Sequence, residues 1–239
     1  MATKLRLISG KIHWPLLAKA GLLGLVWLFA PFWLFALVAL YLYFSPYFQP
    51  LKLLRSLIVF LFICYMLPPF VLSFPYITAF FISCVFYLLL GVKDLVLINR
   101  QSAYQALRFF LISTIFVLFF WWGQSAEAIF VPRWLGLFVA AFMLYREYLW
   151  LVLEESSEKI ALGAILASVI IFELAWVLAW LPIGFLNATA VLLLAVFILD
   201  DFIMHHFKGD LDRQKLLSNF TVFVFSLLII FALSDWTIK

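Results

Sequence analysis

Apolar residues run through this chain in long uninterrupted stretches, and the polar positions gather into short clusters between them. "PYITAFFISCVFYLLLGV" at 75–92 has no Asp, Glu, Lys or Arg, and "ALGAILASVIIFELAWVLAW" at 161–180 has one, Glu173. A half-buried strand would alternate with a period of two, and these runs do not alternate; their length is that of a helix crossing the hydrocarbon core of a bilayer. Prolines interrupt the runs at Pro31, Pro68, Pro69, Pro75, Pro132 and Pro182. Proline lacks the amide donor and restricts the residue before it, so each of these sites reads as a turn. Charge clusters mark the opposite turns. The pattern predicts spans near 14–30, 31–44, 55–68, 75–92, 104–122, 133–152, 160–180, 184–200 and 217–236. The expected fold is all-α: a polytopic transmembrane helical bundle of about nine short spans arranged as successive hairpins, in a single integral membrane domain over residues 1–239.

Residues 14–44 admit an alternative, one long span kinked at Pro31, which would make eight. Charge decides between them. With nine spans and a cytoplasmic N-terminus, fourteen of the sixteen Lys and Arg lie inside, and only Arg133 and Lys239 lie outside. Eight spans move Lys4, Arg6, Lys11 and Lys19 outside, a ten-to-six split that opposes the positive-inside rule. Nine spans place the C-terminus on the outer side. The basic start "MATKLRLISGKIHW" precedes an apolar segment without a small-x-small cleavage site, so it reads as an uncleaved first span. Eight of the ten tryptophans (27, 33, 121, 122, 134, 176, 180 and 236) fall in the predicted outer half, so the hairpin phases agree with one another. The expected location is a bacterial cytoplasmic membrane.

Composition agrees with the pattern. Of 239 residues 68% are hydrophobic and 12% charged, with mean hydropathy +1.17, where soluble domains carry about a quarter charged residues. The net charge of +4 follows from membrane orientation, and no basic stripe with interleaved polar residues suggests nucleic acid as a partner. Cys64 and Cys84 lie inside apolar runs without metal-type spacing and read as packing residues. An internal period also appears: Asp94, Glu147 and Asp200 are separated by 53 residues each time, as are Arg55 and Arg108. Hairpin repeats of about this length within 31–236 would produce it, and so would bilayer thickness, which sets the length of two spans and two loops.

Glu173 leads the candidates for chemistry, because an ionisable group at depth in a span costs several kcal/mol unless it is paired, neutralised or hydrated. By helical rise it lies about 12 Å below the outer end of its span, and Arg146 on the preceding span about 20 Å. A guanidinium reaching outward would cover much of the gap, so an Arg146–Glu173 bridge is one expectation. A proton- or cation-carrying Glu173 is the other. Asp201 and His205, at i and i+4 in "LDDFIMHHFKGDLDRQ" (199–214), would share a helix face and supply two metal ligands. A zinc site needs three or four, and outside this segment only His13 remains, so a solvated cytoplasmic loop is the plainer expectation.

"EESSEK" at 154–159 and the Phe202-x-x-x-His206 spacing resemble motifs of the intramembrane CAAX-type proteases. Lys159 stands where that family has Arg, and no later His is followed by Asn or Asp, so the activity does not carry over. No GxSxG elbow, HExxH helix, Walker loop or dinucleotide fingerprint occurs, and the last span holds no lysine for a retinal. The pattern implies no cofactor and names no catalytic residue. The first functional expectation is a non-catalytic membrane subunit or scaffold packing against membrane lipids, protein partners or copies of itself. A proton-coupled carrier using Glu173 comes second. A membrane-embedded enzyme on a lipid-like substrate, gathering Asp200, Asp201 and His205, comes third.

Overall fold

Helix breaks fall where the backbone requires them. The computed structural model describes residues 14–45, 53–67, 75–94, 100–122, 130–153, 156–209 and 213–232. Among these are nine helices and no strand: α1 (Trp14–Phe29), α2 (Phe32–Phe44), α3 (Leu54–Met66), α4 (Pro75–Lys93), α5 (Arg100–Trp122), α6 (Phe130–Val152), α7 (Ser157–Trp180), α8 (Phe185–Lys208) and α9 (Arg213–Ala232). Five stretches, Pro75–Lys93, Ser102–Trp122, Arg133–Val152, Ser157–Trp180 and Phe185–Phe207, are long and apolar enough to cross a membrane, and α1, α2, α3 and the Phe220–Ala232 part of α9 are shorter apolar stretches. The chain is an all-α, multi-pass membrane protein. Packing divides it into two compact units, Met1–Leu111 and Ile112–Lys239.

In the first unit, Ala30 and Pro31 separate α1 from α2, and Pro31 is extended at ψ 153°. The Lys19 ammonium, near the start of α1, donates to the carbonyl of Ser45, just past the end of α2. Start meets end, so the two helices run antiparallel, which selects two spans over one kinked span. The α1 helix also packs on α4 through small residues. A Cβ placed on Gly24 would overlap the Ser83 Oγ and stand 3.0 Å from the Ala79 carbonyl oxygen, so glycine is what allows the close approach. Aromatic rings fill the space beside this contact: Phe60 lies between Phe35 and Phe86 at 6.5 and 5.7 Å, and Trp27 meets Phe35 edge-on at 5.0 Å. Ser56 at the start of α3 shares a hydrogen bond at 3.4 Å with the Tyr104 hydroxyl near the start of α5.

In the second unit, α6 packs along α7, α7 against α8, and α8 against α9. Trp134 at the start of α6 lies 4.6 Å from Phe119, 5.2 Å from Phe172 and 4.9 Å from Trp176 between ring centroids. The Arg133 guanidinium covers the Phe119 ring at 4.8 Å. At the opposite ends, Gly163 of α7 meets Leu149 of α6 and Phe207 of α8, with would-be Cβ contacts of 3.3 and 3.4 Å. Within each unit the ends that touch are the ends that the proline and charge clusters assign to one side.

Several boundaries differ from expectation. Helix α6 starts at Phe130, so Pro132 sits inside its first turn, where the missing amide costs nothing. Helices α5 and α9 start about one turn earlier than expected, while residues 233–236 of the ninth span lie outside the described residues. Helix α8 runs to Lys208, so residues 200–208 continue the span as helix and do not form the expected loop. No proline or glycine stops it before Gly209, which adopts φ 70° and donates its amide to His205 and His206 carbonyls. Gly209→Ala is expected to cost about 1 kcal/mol, since an L side chain is strained in that left-handed conformation. Gly184→Ala, at φ −62° with open space around it, should be neutral in the same detergent-unfolding measurement.

Candidate functional site

Buried polar side chains are few in the described spans: Ser56, Lys93, Arg108, Glu147, Ser168 and Thr189. Two of them return to their own helices. Ser168 donates to the Ala164 carbonyl at 2.7 Å, and Thr189 to the Phe185 carbonyl at 2.8 Å. Neither directs a polar group into a path between helices.

A polar cluster surrounds Lys93, which the sequence reading treats only as a topogenic charge. The last carbonyls of α2 have no intrahelical donor and form the negative end of its dipole. Two lysines answer them. Lys19 donates to the Ser45 carbonyl, and Lys93 to the Tyr43 carbonyl. The Lys93 side chain is 0% exposed; its Nζ lies 4.8 Å above the Tyr43 ring and 3.4 Å from the Asp94 carboxylate. The cluster therefore ties the beginning of α1 and the ends of α2 and α4 together. The signal in the sequence is that Lys19 and Lys93 both fall at ends assigned to one side, next to the end of a short apolar helix. An ammonium so enclosed holds helices; it is not presented to a substrate.

Glu173 lies on an exposed face of α7. Arg146 is half-buried on α6, its guanidinium 5.9 Å from the Phe142 ring centroid. The structure does not bring the two together: among the described residues no ion pair within 4.0 Å joins them. The reason lies in the angle about the helix axis. Gly163, Ala164, Ala167, Ser168, Ile171 and Ala175 form the buried face of α7, and at about 100° per residue Glu173 points roughly 200° away from Ile171. Depth along the axis would permit a bridge; azimuth prevents it.

Asp201 and His205 do meet, 3.5 Å apart on one face of α8, with side chains 38% and 28% exposed. So exposed a pair contributes about 0.5 kcal/mol when the imidazole is protonated. Among the described residues no group of three His, Cys, Asp or Glu could hold a metal, and His13 lies outside them. His206 stacks on Phe202, one turn back on the same helix. Both cysteines are free thiols; Cys64 is buried, as expected of a packing residue, whereas Cys84 is exposed on α4. No family model matches the chain, and no curated protein or solved structure is significantly similar to it.

Proposed function

We propose that this chain is a non-catalytic membrane subunit or scaffold that works by packing against protein or lipid partners. One observation carries the reading: Glu173, seven residues inside the end of α7, is turned out of the fold. A carrier needs its ionisable group on a wet path between helices, and of the six buried polar side chains Lys93, Ser168 and Thr189 bond to backbone carbonyls. An enzyme needs convergent groups, and Asp201 and His205 supply a half-exposed pair. The same reading places the N-terminus in the cytoplasm and the C-terminus on the outer side of a bacterial cytoplasmic membrane. It is supported by the fourteen-to-two distribution of Lys and Arg.

Purification of the full chain in mild detergent tests the function, paired with flux measurements in proteoliposomes. The expected result is a defined oligomer or a stoichiometric partner, with proton and cation flux equal in wild type and Glu173→Gln. A monomer with flux that Glu173→Gln abolishes would overturn the reading in favour of a carrier.

A further inference from the structure

The outward face of α7 has a particular spacing. Leu162, Leu166, Val169, Glu173, Trp176 and Trp180 follow one another at steps of four, three, four, three and four. This is the a/d alternation of a helix–helix seam, with Glu173 at a central position. The five apolar members are 37% to 76% exposed. Lipid covers leucine, valine and tryptophan without cost, so their exposure alone identifies no partner. Glu173 is different. Seven residues below the end of α7 at Trp180, it lies about 10 Å inside the helix end, with no hydrogen bond or ion pair among the described residues. A carboxylate left against acyl chains at that depth costs several kcal/mol.

We propose that this face of α7 is a self-association surface that pairs with α7 of a second copy. The proposal rests on the subunit reading above and gives it a partner. Copies of one chain inserted with the same orientation present the same helix in parallel, so in a two-fold pair every seam residue meets its own counterpart at its own depth. The two Glu173 carboxyl groups face each other automatically. As neutral carboxyl groups, each donates its O–H to an oxygen of the other, which satisfies both polar groups and leaves no net charge without an outside cation. A foreign helix would have to carry a basic or hydrogen-bonding group at that one depth, and a second copy needs nothing beyond its own sequence. The apolar seam residues supply packing, and the polar central layer sets register and copy number, as single polar layers do in two-stranded seams.

The test uses the full chain reconstituted in lipid vesicles, with Cys64 and Cys84 replaced by Ala and one reporter cysteine introduced. Val169→Cys in the seam is expected to form disulfide-linked dimers on mild oxidation. Phe197→Cys on α8, more accessible at 69% exposure than Val169 at 37%, is expected to stay monomeric. In the Val169→Cys background, Glu173→Gln should keep the dimer, because an amide pair also hydrogen-bonds, whereas Glu173→Leu should weaken association about tenfold. Glu173→Leu removes a lipid-facing charge and leaves the buried face intact, so loss of the dimer would not reflect misfolding; unchanged thermal unfolding checks this. Wild-type monomers at all protein-to-lipid ratios, or a Glu173→Leu chain that dimerises as well as wild type, would overturn the proposal. If the chain proves monomeric yet co-purifies with a different membrane protein in fixed ratio through this face, self-association falls and the subunit reading stands. If it is monomeric and shows flux that depends on Glu173, both fall.

Discussion

Lys93→Leu is expected to lower stability by about 3–5 kcal/mol, the usual effect of removing one partner from a buried charge pair. The ammonium is fully enclosed, donates to the Tyr43 carbonyl and lies 3.4 Å from the Asp94 carboxylate. Leucine fills much of the volume and leaves two uncompensated groups, the carbonyl at the negative end of α2 and the Asp94 carboxylate. The variant separates charge from packing. In Lys93→Leu with Asp94→Asn, the stranded anion is gone, so part of the loss should return, and the double mutant should be more stable than Lys93→Leu alone. Thermal unfolding in detergent reads both effects. Equal stability of single and double variants would mean that Asp94 is solvated in practice and that the pair contributes little. Lys19→Ala, which removes the neighbouring cap on Ser45, should cost less, about 1 kcal/mol, since a helix-end carbonyl near the surface can turn to water.

Gly24→Leu is expected to cost at least 3 kcal/mol, beyond the roughly 1–3 kcal/mol usual for overpacking. Ordinary overpacking is relieved by side-chain rotation, and the limiting neighbour here is backbone, the Ala79 carbonyl oxygen at 3.0 Å from a would-be Cβ. The first obstacle, the Ser83 Oγ, can be removed. Gly24→Ala combined with Ser83→Gly should therefore recover part of the loss caused by Gly24→Ala alone, and the coupling in a double-mutant cycle should exceed about 0.5 kcal/mol. The same substitution at Gly21, which has open space around it, is the control, and it should slightly favour the helix. An unfolding series in which Gly24→Leu matches Gly21→Leu would contradict the close packing of α1 on α4.

How far the sequence could be read depended on whether the signal was local. Pro31 separates α1 from α2, and the basic residues at the far ends of the two helices, Lys19 and Lys52, set their direction, because both act through short-range chemistry, a missing donor and a charge that resists translocation. The end of α8 differs from expectation for an equally local reason. Asp200, Asp201, His205 and His206 make residues 200–208 look like a wet loop, but polarity does not stop a helix, and the first residue that does is Gly209 in its left-handed conformation. Glu173 shows a different limit. Its depth follows from counting residues, whereas its azimuth depends on which stripe of α7 the neighbours take. That choice is made by Gly163, Ala164, Ala167 and Ala175, which let α6 and α8 approach. Lys93 was invisible as a packed group because its burial depends on the Tyr43 carbonyl 50 residues earlier.

Glu173 is either spent inside its own hairpin or turned outward, and a double-mutant cycle between Arg146 and Glu173 measures which. Unfolding of wild type, Arg146→Gln, Glu173→Gln and the double variant in monomerising detergent gives the coupling energy. The account predicts additivity within about 0.5 kcal/mol, as for residues that share no contact. A favourable coupling above about 1.5 kcal/mol would place the guanidinium on the carboxylate and contradict the outward orientation on which both the subunit reading and the α7 seam depend.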